Sequence, residues 1–433
     1  MILPSLRSRY VFLPLILALA FLTLLFLRIS LTGENAQPAP EHPELKPHPL
    51  YKPNNTDIPP PLPEYFPRAA SAKSPSDLPP VPSWNRPPKE HVPEKTRLYI
   101  GFTRFWPLLQ QVVVSYITAG WPPEDIYVVE NTGTFDANKH GRLTSQNPFY
   151  MDYHRLTKIF GVNVITMPSL QSFAQLQNFY LSEAINNDLD FYFWGHMDVI
   201  VQSHEDATPY KSLYTRAVET VREAQKPDYK DNPWAIQFFS YDWFAAVNTA
   251  RFVEIGGWDT MISYYGTDCD MHSRIGMAGM HAVVADAGEV YDVTNSLDDL
   301  EVLYRTKAKS LAPRDDSSNL TSTPTPNTDE PSQPSPEDGE DTLASPAWHT
   351  LQSTLKQMAE AKVADPYRNS WQKRQRGGQG EPFYYDPDGF ETALQMQIHV
   401  GTEIYDEKWG HRGCDIRDVG LSLGDEWRVE HDW

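Results

Sequence analysis

Two side chains that could bind a metal ion or a phosphate group stand one residue apart near the middle of the sequence. His196 and Asp198 follow the aromatic run Phe191–Trp194 and precede the apolar run Val199–Val201. On extended backbone, side chains two positions apart point to the same side, so both can reach one ion. The carboxyl end of a buried strand is where open α/β sheets bind their ligands. The alternative is a hydrogen-bonded histidine and a turn aspartate, because an H-x-D spacing alone has low specificity.

A second group of polar side chains surrounds the start of a helix predicted to run to Ala278. Alternate positions there hold Asp268, Asp270, His272 and Arg274. Carboxylates in a first helical turn are stabilised by the helix dipole, which gives Asp268 and Asp270 an ordinary structural explanation. Asp270 and Arg274 are also four residues apart, the spacing of an ion pair on one helical face.

Strands and helices that could position these residues alternate along the chain. The predicted strands are Leu98–Phe102, Ile126–Val129, Val162–Ile165, the aromatic run 191–194, Trp234–Phe239 and Phe244–Val247, with helices near 107–119, 172–187 and 208–225 between them. Strands that alternate with helices form mostly parallel sheets, buried on both faces. The sequence therefore predicts an α/β fold with a mostly parallel sheet flanked by helices.

The order of these pieces resembles that of a GT-A fold (Rossmann-like) glycosyltransferase, closest to the family 2 type of nucleotide-sugar transferases. The matching pieces, in chain order, are Val128-Val129-Glu130-Asn131, the helix that carries Asn178, the strand and turn Phe191–Val199, Gly256-Gly257-Trp258-Asp259, Asp268-Cys269-Asp270 and Arg274. The resemblance covers roughly residues 96–295. It departs from the family at two positions, because His196 replaces the first acid of the D-x-D motif and Thr267 replaces the acid before the presumed base.

This resemblance implies a metal-dependent hexosyltransferase-like enzyme that moves a sugar from a nucleotide-sugar donor to a glycan or glycoconjugate acceptor. The residues implied for donor and cofactor binding are Glu130, Asn178, His196 and Asp198. The ligands implied for Mn²⁺ (or Mg²⁺) are Asp198, His196 and Asp292, since carboxylate and imidazole both serve Mn²⁺. Asp268 matches the general base that takes the proton of the acceptor hydroxyl.

Two other classes of function fit the same residues. A GT-A relative without catalytic activity could act as a lumenal binding or scaffold protein, which the two departures from the family pattern favour. A metal-dependent hydrolase could use His196, Asp198 and Asp268 on a water molecule, but the sequence does not clearly provide a further ligand.

The N-terminal region predicts a membrane anchor. Residues 11–27 are almost uninterruptedly apolar, with Arg7 and Arg9 before them and Arg28 after them, and their number matches the lower end of a membrane span. We expect a single-pass type II signal anchor, with residues 1–10 in the cytosol and the rest in the lumen of the Golgi or endoplasmic reticulum. A cleaved signal peptide is the alternative. Glycosylation sequons at Asn54 and Asn319 agree with a lumenal location.

Composition divides the remainder of the chain. Residues 29–95 hold almost half of the 38 prolines and predict a disordered, extended stalk. A GT-A-like catalytic domain is expected over 96–305. Residues 306–345, rich in Ser, Thr, Pro and acidic residues, predict a disordered insertion. Residues 346–433 predict a helical extension that packs on the catalytic domain.

Charge and cysteine content exclude several classes of protein. A net charge of −20 argues against a nucleic-acid partner, whose phosphates the chain would repel. Only two cysteines are present, Cys269 and Cys414, which excludes a disulfide scaffold and a cysteine-based zinc module. In an oxidising lumen the two could form a disulfide that holds the C-terminal tail beside Asp268. Two buried free thiols are the alternative.

Overall fold

The described part of the chain comprises most of the predicted folded region. The computed structural model describes residues 19–24, 49, 62–87, 94–226, 233–306, 341–366, 381 and 387–433. Residues 55–433 belong to one unit, and the short helix at 19–24 belongs to another, residues 1–54. None of the helices described is long and apolar enough to cross a membrane. The rest of the predicted anchor 11–28, both sequons and nearly all of the predicted insertion 306–345 lie outside the described residues.

Nine strands, eight α-helices, one π-helix and four 3₁₀-helices follow one another along the described ranges of residues 55–433. The strands are β1 (Leu98–Phe102), β2 (Ile126–Glu130), β3 (Asn163–Thr166), β4 (Phe191–Gly195), β5 (Val199–Gln202), β6 (Trp234–Ser240), β7 (Phe244–Asn248), β8 (His281–Val284) and β9 (Glu289–Asp292). The α-helices are α1 (Pro67–Ser71), α2 (Trp106–Thr118), α3 (Phe173–Asn186), α4 (Leu213–Ala224), α5 (Thr249–Ile255), α6 (Thr267–Met277), α7 (Pro346–Ala364) and α8 (Pro387–Trp409). A π-helix spans Arg155–Phe160, and 3₁₀-helices span Pro75–Asp77, Pro123–Asp125, Leu300–Tyr304 and Leu423–Asp425.

Seven strands form a central sheet in the order β3-β2-β1-β4-β7-β6-β8. Only β7 runs antiparallel to its neighbours, β4 and β6, while the other adjacent strands pair in parallel. The predicted mostly parallel sheet flanked by helices is therefore confirmed.

Alternating side chains of the strands fill two cores, one on each face of the sheet. Phe191 and Phe193 of β4 join the core that α2, α4 and α7 cover, whereas Tyr192 and Trp194 join the core that α3, α5 and α6 cover. All four rings are at most 3% exposed, because a central strand has a helical layer on either side. The strand that leads to His196 and Asp198 is thus held rigidly on both faces.

A small two-stranded sheet brings Asp198 beside Asp292. In this sheet β5 pairs with β9 in antiparallel register, so that Val199 lies opposite Asp292. The pairing extends one residue further, where the Val293 amide donates a hydrogen bond to the Asp198 carbonyl over 2.8 Å. Two carboxylates that are almost a hundred residues apart in sequence thereby become neighbours.

Part of the proline-rich segment differs from the predicted stalk, because residues 62–87 pack on the domain. Tyr65 and Phe66 are 2% and 0% exposed within the main core. The Tyr65 carbonyl accepts a hydrogen bond from the Leu300 amide over 2.8 Å, and Arg68 pairs with Glu301 over 3.0 Å. A few aromatic side chains among prolines bury enough apolar surface to order this stretch.

The C-terminal extension packs on the sheet domain through both of its helices. On α7, a stripe of Leu351, Leu355 and Met358 joins the main core, and the helix lies against β9. On α8, Tyr405 and Trp409 are buried in a cluster with Ile262 and Ile416. The extension therefore covers the part of the domain that contains the second group of polar residues.

Cys269 and Cys414 form a disulfide that joins α6 to the segment following α8, with a Cα–Cα distance of 5.0 Å. Of the two alternatives that the sequence left open, the structure contains the paired one. The bond lies one residue from Asp268 and closes a loop of 145 residues.

Removal of this disulfide should loosen the C-terminal tail. Cross-links over long loops stabilise proteins by about 2–4 kcal/mol, mainly because they restrict the unfolded chain. We expect the double variant Cys269→Ser/Cys414→Ser to unfold at a lower temperature and to be cleaved earlier within residues 410–433 during limited proteolysis. Reductant should produce the same loss in the wild type and leave the double variant unchanged. A wild-type protein that keeps its melting temperature with both thiols labelled would contradict this account.

Candidate active site

Four aspartates from separate parts of the chain form an acidic cluster at the carboxyl end of β4. They are Asp198 in the turn after β4, Asp242 in the β6–β7 turn, Asp268 in the first turn of α6 and Asp292 at the end of β9. The His196 amide donates a hydrogen bond to the Trp243 carbonyl over 3.0 Å, which fixes the β6–β7 turn against the end of β4. The structure thus brings together Asp198, Asp268 and Asp292, three residues that the sequence singled out.

A buried ammonium group lies between two of these aspartates. Nζ of Lys362, on α7, is 2.8 Å from Oδ2 of Asp198 and 2.5 Å from Oδ1 of Asp292, and it donates a third hydrogen bond to the Val293 carbonyl over 3.3 Å. Burial opposes the charge on Lys362, but the two carboxylates outweigh this effect and raise its pKa. Burial also opposes ionisation of Asp198, yet the ammonium, aided by His196, holds the pKa of this carboxyl below its usual range.

His196 lies beside Asp198 and contacts two aromatic rings. Its ring contacts those of Phe173 and Trp194, with centroids 6.1 and 5.5 Å away. Nδ1 is 3.8 Å from Oδ1 of Asp198, and Nε2 is buried with no hydrogen-bond partner among the residues described. Burial lowers the pKa of His196, which favours the neutral imidazole at neutral pH.

The residues predicted to hold a divalent metal ion are adjacent, but their arrangement does not fit one as it stands. Asp198 and Asp292 each direct one carboxylate oxygen to the Lys362 ammonium, which occupies the position between them. In the described ranges, no group of three or more His, Cys, Asp or Glu side chains is arranged to hold a metal ion. Binding of Mn²⁺ or Mg²⁺ by Asp198, His196 and Asp292 stays a prediction.

Asp268 joins the acidic cluster from the start of α6, and a tyrosine hydroxyl donates a hydrogen bond to it. The Tyr241 hydroxyl donates to Oδ2 of Asp268 over 3.1 Å, and Nδ1 of His272 lies 3.4 Å from the same hydroxyl. Burial lowers the pKa of His272, so this imidazole tends to be neutral. A half-buried carboxylate at a helix N-terminus can accept a proton from a bound hydroxyl group.

Sequence reasoning missed Asp242, which lies among the other three carboxylates. Burial, together with the negative charges of Asp268, Asp198 and Asp292, raises the pKa of Asp242 from its ordinary 3.8 to about 7. Oδ1 of Asp242 is buried and has no hydrogen-bond partner within the described chain. The signal available in the sequence was a Tyr-Asp-Trp turn between two predicted strands, at the sheet edge where β4 ends.

Glu130, predicted to contact the nucleoside, is turned into the protein. Its side chain is 1% exposed at the end of β2 and accepts hydrogen bonds from Asn138 over 2.6 Å and from the Tyr153 hydroxyl over 2.5 Å. Side chains from the segment that follows β2 therefore cover this carboxylate. The structure does not place Glu130 in the acidic cluster with Asp198.

Asn178 is likewise engaged with backbone, away from the four aspartates. Its amide donates to the Trp258 carbonyl and accepts from the Trp258 amide, both over 2.8 Å. A Cβ atom on Gly257 would approach Oδ1 of Asn178 to 2.7 Å, and this glycine also has a φ of +72°. In this structure the Gly256-Gly257-Trp258-Asp259 motif is held by Asn178.

Asp270 belongs to a buried ionic network. It pairs with Arg274 over 2.8 Å and with Lys408 of α8 over 2.7 Å, and it accepts a hydrogen bond from Trp409 over 3.0 Å. Lys408 also pairs with Asp259 over 2.9 Å. The four-residue spacing of Asp270 and Arg274 therefore corresponds to a structural ion pair that ties α6 to the extension.

Comparisons with known proteins identify no family for this chain. No protein-family model matches it, and no curated protein is significantly similar in sequence. Among solved structures it is similar to a mannosyltransferase from Pyrobaculum calidifontis bound to GDP-Man and Mn²⁺, with 12% identity over 47% of this chain and 59% of that one and a TM-score of 0.30. GalNAc-T7 with UDP, GalNAc and Mn²⁺ is similar at 12% identity over 46% and 43% of the two chains, with a TM-score of 0.30. A cytidylyltransferase from Leptospira borgpetersenii is similar at 12% identity over 38% and 64%, with a TM-score of 0.23. TM-scores this low do not assign a function to this chain.

Replacement of Asp242 by Asn should stabilise the protein in a pH-dependent way. Because the folded state binds the Asp242 proton more tightly than the unfolded state, the wild type should lose stability between about pH 4 and pH 7. Asp242→Asn removes this loss, so its advantage over the wild type should grow across that range and level off above pH 7, at about 1–4 kcal/mol. Urea unfolding between pH 4 and pH 8 measures the difference.

Asp190→Asn is the matched control, because Asp190 is exposed at the opposite end of β4. This variant should show no such trend. An Asp242→Asn protein whose stability follows the wild type at every pH would contradict the raised pKa of Asp242.

Proposed function

We propose that this chain is a GT-A-type glycosyltransferase that moves a sugar from a nucleotide-sugar donor to the hydroxyl group of a glycan or glycoconjugate acceptor. The proposal joins the order of sequence motifs to the strand order β3-β2-β1-β4-β7-β6-β8, with β7 as the one reversed strand. Chemical groups at the carboxyl end of a central strand lie where α/β sheets bind ligands.

The observation that carries this proposal is the position of Asp268 and Asp198 in one acidic cluster. The charges of both carboxylates contribute to the raised pKa of Asp242, so both lie within electrostatic reach of this residue. A transferase of this type needs a base for the acceptor and a charged site for the donor. Asp268, whose hydrogen-bond donor among the described residues is the Tyr241 hydroxyl, suits the first role, and the charged group Asp198–Lys362–Asp292 suits the second.

The proposed reaction is a single displacement at the anomeric carbon of the donor sugar. The acceptor oxygen forms a bond to this carbon while the bond from the carbon to the diphosphate oxygen breaks, and the nucleoside diphosphate leaves with the electron pair. Asp268 takes the proton of the acceptor hydroxyl as the new bond forms. The buried ring of Trp194 and the half-buried ring of Phe173 form an apolar surface beside His196.

Loss of the two carboxylates should affect the reaction in different ways. Asp268→Asn should bind the donor nearly as the wild type does but transfer sugar about 10²–10⁴-fold more slowly, because a general base is lost. Asp198→Asn should weaken donor binding, since this change disturbs the charged group that faces the diphosphate. A thermal-shift panel of nucleotide sugars identifies the donor, and calorimetry and turnover assays then separate binding from transfer.

Asp190→Asn serves again as the control and should match the wild type in both assays. Equal loss of binding and turnover in all three variants, in proportion to the folded fraction, would assign these residues a purely structural role. Failure of every nucleotide sugar to bind would support a scaffold protein, and release of free sugar without an acceptor would support a hydrolase.

We also propose that the folded region lies in the lumen of the Golgi or endoplasmic reticulum, behind the type II anchor predicted at residues 11–28. The disulfide between Cys269 and Cys414 supports an oxidising compartment. The sequons at Asn54 and Asn319 agree with this location.

Protease treatment of intact microsomes tests the compartment. The folded region should resist digestion until detergent is added, and an endoglycosidase should increase its electrophoretic mobility. An Asn54→Gln/Asn319→Gln variant provides the control for the mobility change. Digestion in intact vesicles, together with unmodified sequons, would exclude a lumenal location.

A further inference from the structure

The amino group of Lys362 has an unusual position for a helical lysine. Its side chain is 5% exposed, whereas those of Asp198 and Asp292 are 17% and 18% exposed. An ammonium has three N–H donors, and the two carboxylates and the Val293 carbonyl accept all three. The charge is therefore fixed in place rather than mobile on the surface.

Lys362 continues an otherwise apolar stripe of α7. Leu351, Leu355 and Met358, at spacings of three and four residues, are buried in the main core, and Lys362 is the next position of this stripe. A lysine at such a position loses its hydration and is tolerated only when opposite charges compensate. Here the compensation comes from the two aspartates to which sequence analysis assigned a metal ion.

A divalent ion and the ammonium require the same oxygen atoms. Oδ2 of Asp198 and Oδ1 of Asp292 both contact Nζ of Lys362, within 2.8 Å. An ion bound between these oxygens would lie where Nζ lies, and a second cation beside the ammonium would be repelled. The Lys362 ammonium and a divalent metal ion should therefore not occupy this position at the same time.

We propose that the Lys362 ammonium is the cation of the acidic cluster. It occupies the position between Asp198 and Asp292 where sequence analysis expected a divalent metal ion. As a consequence, the wild type takes up no divalent ion between Asp198 and Asp292. The further consequence, which rests on the proposed function, is that Lys362 compensates the charge of the donor diphosphate. Its contact with the neutral Val293 carbonyl, at 3.3 Å, is the longest of the three and is the one that a phosphate oxygen would replace.

Titration with Mn²⁺ alone tests the first part of the proposal, with electron paramagnetic resonance of the free ion as the readout. The wild type and the control Lys356→Met, whose substituted residue is exposed on the same helix, should take up no ion at this position up to millimolar concentration. Lys362→Met should gain one Mn²⁺ site, because it removes the ammonium that lies between the two carboxylates. This gain should disappear in Lys362→Met/Asp292→Asn.

Two outcomes would overturn the proposal. One is uptake of a Mn²⁺ ion by the wild type that is lost in Asp292→Asn, and the other is equal or weaker Mn²⁺ binding by folded Lys362→Met. If Lys362→Met folds only when Mn²⁺ is present, the ion has replaced the ammonium, which supports the proposal. If the variant does not fold at all, the wild-type titration decides the question, and Lys362→Arg, which keeps the charge, should resemble the wild type.

Binding of nucleoside diphosphates tests the second part. In the wild type, the affinity for UDP or GDP should be the same in EDTA and in Mn²⁺. In Lys362→Met, affinity should fall about 10- to 100-fold in EDTA, the usual effect of losing a contact to a charged group, and should recover in Mn²⁺. Binding by the wild type only in the presence of Mn²⁺ would overturn this part. If neither nucleotide binds under any condition, the proposed function fails, while the Mn²⁺ titration still decides the role of Lys362.

Discussion

The charged contact Asp198–Lys362–Asp292 joins three parts of the chain that are otherwise far apart. It connects the turn after β4, the end of β9 and helix α7 of the C-terminal extension. Removal of one partner from a buried ionic group typically costs about 3–5 kcal/mol, because the other charges stay buried without compensation. For this reason α7 of the extension stabilises the neighbouring positions that the β5–β9 pairing gives to Asp198 and Asp292.

The second buried lysine of the extension acts in the same way on the other carboxylate pair. Lys408 of α8 is 3% exposed and pairs with both Asp259 and Asp270, as Lys362 does with Asp198 and Asp292. Each of the two helices thus places one cation between two aspartates of the sheet domain. These two local contacts between opposite charges add to the apolar contacts of the extension.

The sequence predicted features that depend on local patterns. It did not predict features that depend on contacts between residues far apart in the chain. The bounds of β1 were predicted correctly, because its short apolar run ends at polar residues. The convergence of Asp198, Asp268 and Asp292 was also expected, because the family resemblance assigned all three to one site. The sequence did not identify Lys362 as a buried residue, because a lysine on an amphipathic helix is ordinarily on the surface.

Two further differences have the same origin. The core contacts of Tyr65 and Phe66 are made with residues far along the chain, so a proline-rich composition averaged over the segment concealed them. Glu130 and Asn178 occupy positions that match a family motif. Each forms hydrogen bonds with neighbouring groups in the fold, and sequence spacing does not predict these bonds.

The difference between Asp268 and Asp270 shows how burial selects one carboxylate for chemistry. The two residues lie two positions apart on α6, and helix geometry turns them to different faces. Asp270 is 0% exposed and is held by Arg274, Lys408 and Trp409, so an acceptor hydroxyl cannot reach it. Asp268 is half-buried, with the Tyr241 hydroxyl as donor to one oxygen. Because Asp270 is fixed to the extension and the adjacent Cys269 to the tail, Asp268 can keep its orientation without buried ionic partners of its own.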